Sequence, residues 1–340
     1  MTNNLKTSAL SRPVTRRRAL SIGALAGAAT LLPGWAFAGS AIRYSWHGTA
    51  LGAEASITIA HHHEGQAADL IDMCRQELKR LEAVFSLYLP TSALSRLNRD
   101  GALAAPPPEL VSVLDRCSDV YQLSGGAFDP TIQPLWSLYA DHFSHDGAAP
   151  SGPPVEALSD ARARIGFQHV HYSTQKIYFA RPDMAVTLNG IAQGFITARI
   201  AARLRAAGSR NILVNMGEIA ASGRRPDGSP WQVGLADPNL PATVWRTVQL
   251  DQRALASSGG YESRFDASGR HHHLFDPSTA RSALGVKGAS VSTRDATTAD
   301  ALSTALVVMD PGRAQVAIGA IGDTTAWLTR ADGSRLILRS

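Results

Sequence analysis

Along the chain, apolar positions alternate like strands in some stretches and recur at helical spacing in others. Residues 41–46 and 53–60 alternate apolar with polar, the period of a strand with one buried face. From 66 to 85, Leu70, Ile71, Cys74, Leu78, Leu81 and Val84 fall on one side of a helix. A second helix is expected at 107–123, opened by proline, whose fixed φ suits a first turn. Residues 141–154, rich in Gly, Pro, Ser and His, read as a surface loop. Short strands are expected at 168–173, 176–180 and 184–188, then near 211–215, 231–236 and 244–250. Helices at 296–309 and 311–319 precede two closing strands, 324–329 and 335–339. These elements interleave without regular βαβ spacing, which predicts an α+β domain rather than a doubly wound sheet.

The stretch 186–195 reads Val-Thr-Leu-Asn-Gly-Ile-Ala-Gln-Gly-Phe. A β-branched run meets a turn flanked by Gly190 and Gly194, and an amphipathic helix follows at once. Its apolar face is Ile191, Phe195, Ile196, Ile200 and Leu204; Arg199, Arg203 and Arg205 lie on the polar side. Such a helix start presents unpaired N–H groups suited to a phosphate or carboxylate. Two glycines four apart are also common in packing turns, so both readings stand on this stretch alone.

The N-terminus changes the charge picture. Thr15-Arg16-Arg17-Arg18-Ala19-Leu20-Ser21 precedes an apolar run from Ile22 to Leu32, and Ala36-Phe37-Ala38 supplies small residues at a cleavage site. The pattern predicts an export signal over 1–38, with the paired arginines favouring the twin-arginine route over the ordinary secretory one. The apolar run is too short to span a bilayer. Of the 33 basic residues five lie in 1–38, which holds no acid, leaving 28 basic against 28 acidic residues in 39–340. The basic pI therefore belongs to the signal, and charge gives no argument for nucleic acid binding. Residues 39–340 suffice for one large domain or two small ones, with an ample core. Cys74 and Cys117 are the sole cysteines, in helix-like segments, either paired in an oxidising compartment or buried as free thiols.

Three segments offer chemistry. On the helix at 296–309, Asp300 and Thr304 lie four apart on one face. A carboxylate beside a hydroxyl makes a hard pair suited to Mg²⁺; equally, Asp300 favours a helix start while Thr304 bonds back to the preceding turn. In Gly125–Thr131, Asp129 precedes Pro130 and is held extended, aimed at a ligand ring or simply closing an Asp-Pro turn. His271-His272-His273 cannot all face one metal from a strand, so a single inward histidine touching a ligand is the better reading. His61-His62-His63 reads as a solvated turn. The chain has no nucleophile elbow, no dinucleotide fingerprint, no P-loop and no zinc spacing.

Taken in order, these segments resemble the ApbE family, the FAD:protein FMN transferases. Phe85-Ser86-Leu87-Tyr88 with Ser92–Asn98 is similar to the family's early tyrosine motif, and Gly126-Ala127-Phe128-Asp129-Pro130-Thr131 to its flavin-contacting turn. Asn189–Gly194 resembles the central glycine motif and Leu213–Glu218 the strand after it. Ser257–Glu262 and His273–Pro277 match the next two, and Ala299–Ala305 the metal helix. The resemblance covers nearly all of 39–340. It implies a single ApbE-like (T-fold-like) domain of mixed, mainly antiparallel sheets with packed helices. It also implies Mg²⁺ held by Asp300, Thr304 and the Gly190 carbonyl, with FAD as substrate contacted by Tyr88, Ala127, Phe128, Asp129, Thr187 and Gln193. His273 would lie near the dinucleotide, with Asp300 and His273 as the catalytic pair. The family usually has Asp at Thr187 and Lys at Gln193, so the grip on FAD differs there. This variant motif with a twin-arginine signal resembles the subgroup associated with nitrous oxide respiration. That implies a periplasmic enzyme and a membrane-bound flavoprotein acceptor exposed to the periplasm. The implied reaction is transfer of FMN from FAD to a threonine or serine hydroxyl, releasing AMP. FAD hydrolysis to FMN and AMP, and non-catalytic flavin binding, remain open alternatives.

Overall fold

Two strands open the described part of the chain, residues 42–340 of a computed structural model; burial alternates along the second, whereas the first, an edge strand, is mostly exposed and lacks the buried face its pattern predicts. The export pattern at 1–38 lies outside the described residues. In chain order the elements begin with β1 (Ile42–Ala50), β2 (Ala53–His61), α1 (Glu64–Phe85), α2 (Ala93–Asp100), β3 (Ala102–Ala104) and α3 (Pro108–Ser124). A 3₁₀ turn, Pro130–Ile132, leads to α4 (Gln133–His142) and α5 (Val155–Ala163), then β4 (Val170–Tyr172), β5 (Lys176–Phe179) and α6 (Ala192–Ala206). The sheet strands β6 (Ile212–Asn215), β7 (Ile219–Ser222), β8 (Trp231–Asp237), β9 (Leu240–Leu250) and β10 (Arg253–Gly259) follow. A small β11 (Phe275–Asp276) and β12 (Arg281–Ser282) precede β13 (Val286–Thr293), α7 (Ala296–Val308), α8 (Pro311–Ala320), β14 (Thr325–Arg330) and β15 (Arg335–Arg339).

The main sheet runs β1-β2-β6-β7-β10-β13-β14-β15, and every neighbouring pair is antiparallel. This is the expected α+β domain. Alternation along each strand sorts side chains to the two faces. Ala220, Ala254, Ala256 and Leu328 face the core shared with α1, α3, α6 and α7. Ile219, Ala221, Leu255 and Trp327 face the β8–β9 ribbon, whose Trp231, Val233 and Leu250 cover that side. Helix α7 is buried almost all round by Ala296, Ala299, Ala301, Leu302, Ala305 and Leu306, which makes it a core helix rather than an amphipathic one. Its alanines let the sheet and α6 approach closely. Glu77 of α1 is buried and joins Arg80 to Arg203 of α6 at 3.0 Å each, clamping the two helices. Cys74 and Cys117 are free and buried.

One expected strand is absent as a ladder. Residues 184–188 are extended, and Met184, Val186 and Leu188 point inward with strand periodicity. Their partner is a side chain: Asn98 Nδ2 donates to the Val186 carbonyl and Asn98 Oδ1 accepts from Val186 N, both at 2.8 Å. The alternation was therefore real, but an amide of α2 fills the place of a neighbouring strand.

Candidate active site at the start of α6

The α6 start is built by the turn at 188–191. Ile191 N and Ala192 N both donate to the Leu188 carbonyl, at 3.0 and 2.8 Å. No side chain of α6's own flank caps it. The cap comes from α7: Gly194 N donates to Asp300 Oδ2 at 2.8 Å. The positive end of the α6 dipole and an anionic carboxylate thus meet in the interior. This contact requires glycine. A Cβ on Gly194 would lie 2.3 Å from the Ala296 carbonyl oxygen and 2.6 Å from Asp300 Cβ. Asp300 is only 2% exposed, and burial raises its pKa from 3.8 to about 7 despite the hydrogen bond from Gly194.

Gly190, Asp300 and Thr304 come together here. A Cβ on Gly190 would lie 2.9 Å from Thr304 Oγ1, so the turn's backbone rests on that hydroxyl. Thr304 is half-buried. Its hydroxyl pairs with Ser258 Oγ of β10 at 3.1 Å, Ser258 Oγ with Ser303 Oγ at 2.7 Å, and Ser303 Oγ donates to the Asp300 carbonyl at 2.9 Å. The donors gathered here are a carboxylate and a hydroxyl, with the Gly190 backbone against the hydroxyl, all of them hard oxygen if that backbone offers its carbonyl. That chemistry fits Mg²⁺, and a buried carboxylate gains from a cation beside it. Among the described residues no three His, Cys, Asp or Glu side chains gather as a metal site, so any cation here depends on the hydroxyl and the backbone.

A second buried carboxyl stands close by. Glu218, at the start of β7, accepts from Ser257 N at 3.2 Å, and its backbone carbonyl accepts from Thr197 Oγ1 of α6 at 2.9 Å. Burial and the charges of Asp300 and Glu262 push its pKa well up. Sequence reasoning assigned it no role. Its one local signal is a charged residue opening the wholly buried strand Ile219–Ser222.

The residues of the Asp129 turn are tied to this site through the backbone. Thr187 N donates to the Pro130 carbonyl at 2.8 Å, joining the 186–195 stretch to the Asp129–Thr131 turn. Asp129 is buried, and its Oδ1 accepts from Thr131 N (2.8 Å) and Thr131 Oγ1 (2.6 Å) while Oδ2 accepts from Phe167 N (3.2 Å). Its carboxylate thus serves the turn's own architecture, and burial raises its pKa. Phe128 is buried and Ala127 half-buried. Gln193 lies against Gly217, where φ is +101° and a Cβ would come within 2.3 Å of Gln193 Nε2. Tyr88 is 57% exposed on a turn held by Ser86 Oγ, which accepts from Tyr88 N and Leu89 N at 3.1 and 3.2 Å.

The three consecutive histidines divide their work. They lie in an irregular segment rather than on the expected strand, with one isolated bridge from His272 to Arg264. His271 and His272 are buried and structural, bonded to the Pro150 and Ala283 carbonyls at 3.0 and 2.8 Å. His273 is half-buried, and its Nδ1 bonds the Ser263 carbonyl at 3.1 Å. A carbonyl only accepts, so Nδ1 is the donor in this bond. Two of the three histidines, not the single one expected, turn inward, because each ring meets a backbone carbonyl there. His61–His63 is exposed or half-exposed, as a solvated turn should be.

The ApbE family profile matches residues 51–327. The chain belongs to the ApbE family. It is similar to an FAD:protein FMN transferase of Haemophilus influenzae, 29% identical over 249 residues that cover 70% of this chain and 71% of the relative. A second FAD:protein FMN transferase, from Treponema pallidum, is 31% identical over 256 residues, covering 68% and 69%. Among solved structures, the ApbE protein of Thermotoga maritima superposes with a TM-score of 0.77 at 26% identity, covering 87% of this chain and 97% of that one. The Pseudomonas stutzeri flavinyl transferase ApbE superposes with a TM-score of 0.72 at 26% identity, covering 88% and 94%. The ApbE match spans β2 to β14 and so takes in the α6 start, the Asp129 turn and α7 together.

Proposed function

We propose that this chain transfers the FMN moiety of FAD to a hydroxyl of a partner flavoprotein, releasing AMP. The observation that carries this reading is the meeting of Asp300, Thr304 and the Gly190 backbone at the amino end of a helix, in a family whose matched relatives are named for this reaction. Asp300, Thr304 and the Gly190 carbonyl would hold Mg²⁺. When bound, the ion would neutralise charge on the diphosphate and on the departing oxygen. The residues supply the rest. Tyr88, an exposed aromatic, offers a face for a flat ring. Ala127, Phe128, Asp129, Thr187 and Gln193 would contact FAD, with Asp129 setting the turn and Gln193 offering an amide where the family usually has Lys. The partner's threonine or serine oxygen attacks the FMN phosphorus, a P–O bond forms, and the bond to the AMP phosphate oxygen breaks. The hydroxyl proton goes to a base, a role that His273 would take.

The export pattern at 1–38 supports a periplasmic site of action reached by the twin-arginine route, and the subgroup resemblance implies an acceptor anchored in the membrane. The test is incubation with FAD, Mg²⁺ and a threonine-bearing acceptor domain, read by intact-mass spectrometry. An FMN adduct on a hydroxyl with stoichiometric AMP supports the reading. FMN and AMP released without adduct would replace it with FAD hydrolysis, and intact FAD after incubation would leave flavin binding alone.

A further inference from the structure

At the other end of α6 lies a cleft of about 800 Å³. Eleven residues of helix separate Gly194 from Arg205, so the cleft stands roughly 16 Å from the Asp300 cap. Its walls carry Arg205, Arg210, Arg224 and Arg225 against the single acid Asp251. Among the described residues none of these four guanidiniums enters a salt bridge; Arg224 Nη1 donates to the Gly228 carbonyl at 3.1 Å. The nearby Asp227 feels Arg225, but its carboxylate is taken by Ser229 N at 2.9 Å and Ser229 Oγ at 2.6 Å.

The cleft is held in shape by backbone. Helix α6 ends with Gly208 at φ +88°; Gly208 N donates to the Arg205 carbonyl at 3.0 Å and Ser209 N to the Leu204 carbonyl at 2.9 Å. This paired closure is the Schellman pattern, and it fixes Ser209 at the cleft wall. Opposite, Gly223 sits at φ +64°, where a Cβ would strike the Arg210 carbonyl oxygen at 2.5 Å. Arg224 N donates to Asn211 Oδ1 at 2.9 Å. Ser209 stands in the cleft wall. It lines the cleft, is 5% exposed, and its hydroxyl has no hydrogen-bond partner among the described residues. A buried hydroxyl left unpaired is costly, and such groups mark where a ligand or ordered water belongs.

We propose that this cleft is a binding site for a phosphate-bearing anion, clamped by the four arginines and completed by the Ser209 hydroxyl. Guanidinium forks match phosphoryl oxygens in a bidentate manner, and a hydroxyl supplies one further donor. Such an anion is either a free phosphate compound or the headgroup of an acidic phospholipid. The site is distinct from the one read as the FAD site and does not depend on that reading.

The test uses the whole protein without divalent cation, with sodium pyrophosphate as probe and sodium chloride at matched ionic strength as control. Calorimetric titration should show saturable binding that persists in Asp300→Asn, whose substitution lies at the other end of α6. Affinity should fall at least about tenfold in the Arg210→Ala/Arg225→Ala double variant and about fivefold in Ser209→Ala. Asp251→Ala should tighten binding about threefold, a gain that misfolding cannot imitate. Absence of saturable binding, binding unchanged in the arginine variant, or binding lost in Asp300→Asn alone would overturn the proposal. Co-sedimentation with vesicles of phosphatidylglycerol in phosphatidylcholine separates the sources. Vesicle binding displaced by pyrophosphate and lost in the arginine variant identifies a headgroup; pyrophosphate binding without vesicle binding identifies a free phosphate compound.

Discussion

Asp300→Asn separates the charge of the α6 cap from its shape. Asparagine keeps an oxygen able to accept the Gly194 N–H that now bonds Oδ2 at 2.8 Å. What it removes is the buried charge. With its pKa raised from 3.8 to about 7, Asp300 binds a proton more readily folded than unfolded. The folded state therefore holds more protons between these values, and stability falls as pH rises through that window. The full cost is present above about pH 7 and corresponds to roughly 4 kcal/mol. For about 300 residues this is roughly 6 °C in Tm. Glu218, whose pKa the Asp300 charge helps to raise, relaxes in the same direction. In EDTA at pH 8 the variant should melt later than the parent, and the gap should close at pH 4. Added Mg²⁺ at pH 8 should raise the parent's Tm, leave the variant unmoved, and support FMN transfer only in the parent. Scanning calorimetry across these conditions is the assay. A variant less stable than its parent at pH 8 in EDTA, or one stabilised equally by Mg²⁺, would refute the reasoning.

Gly194→Ala places a Cβ 2.3 Å from the Ala296 carbonyl oxygen, a backbone atom that cannot swing aside. It should cost about 2–3 kcal/mol and abolish transfer; an unaltered denaturation midpoint would contradict the close packing of α6 on α7. Thr304→Ser keeps the hydroxyl and should retain transfer within about tenfold, whereas Thr304→Val should lose at least about a hundredfold; steady-state rates at saturating Mg²⁺ distinguish them, and equal rates would count against a ligand role. Asn98→Leu strips both hydrogen bonds from Val186 and should lower stability by about 2–4 kcal/mol in urea unfolding; a loss below about 0.5 kcal/mol would show the amide to be dispensable. Burial pushes the Cys74 thiol up to about 12 and Cys117 well above its ordinary value. Neither should therefore react with a disulfide reagent at pH 8 until denaturant is added, and rapid labelling of the native protein would contradict their burial.

The sequence shows clearly those parts whose period matches their burial. Strand β2, α1 and α6 each carry the pattern of the one-sided environment they occupy. The interior strands β7, β10 and β13 escape such reading. They are built from Ala, Ser and Gly, as in Ile219–Ser222 and Arg253–Gly259, residues with little strand preference of their own. For β10 and β13 this is because α7 packs directly on them, and for β7 because it lies against α6; both leave room only for small side chains, a tertiary demand that local propensity does not carry. The site divides along the same line. Asp300 and Thr304 share a helical face, and Gly190 and Gly194 punctuate a helix start, so both halves are visible locally. That they meet is a consequence of α6 crossing α7, with Gly194 touching a residue 106 positions away. Glu218 and Ser258 enter only through that crossing and the antiparallel pairing of β7 with β10.

The proposed transfer needs one divalent cation among Asp300, Thr304 and the Gly190 carbonyl. A crystal grown with Mn²⁺ and FAD, with an anomalous difference map at the manganese edge, would locate it. One strong peak is expected in contact with an Asp300 carboxylate oxygen, Thr304 Oγ1 and the Gly190 carbonyl oxygen, next to the diphosphate. A peak elsewhere, or FAD bound with no peak at α7, would contradict it.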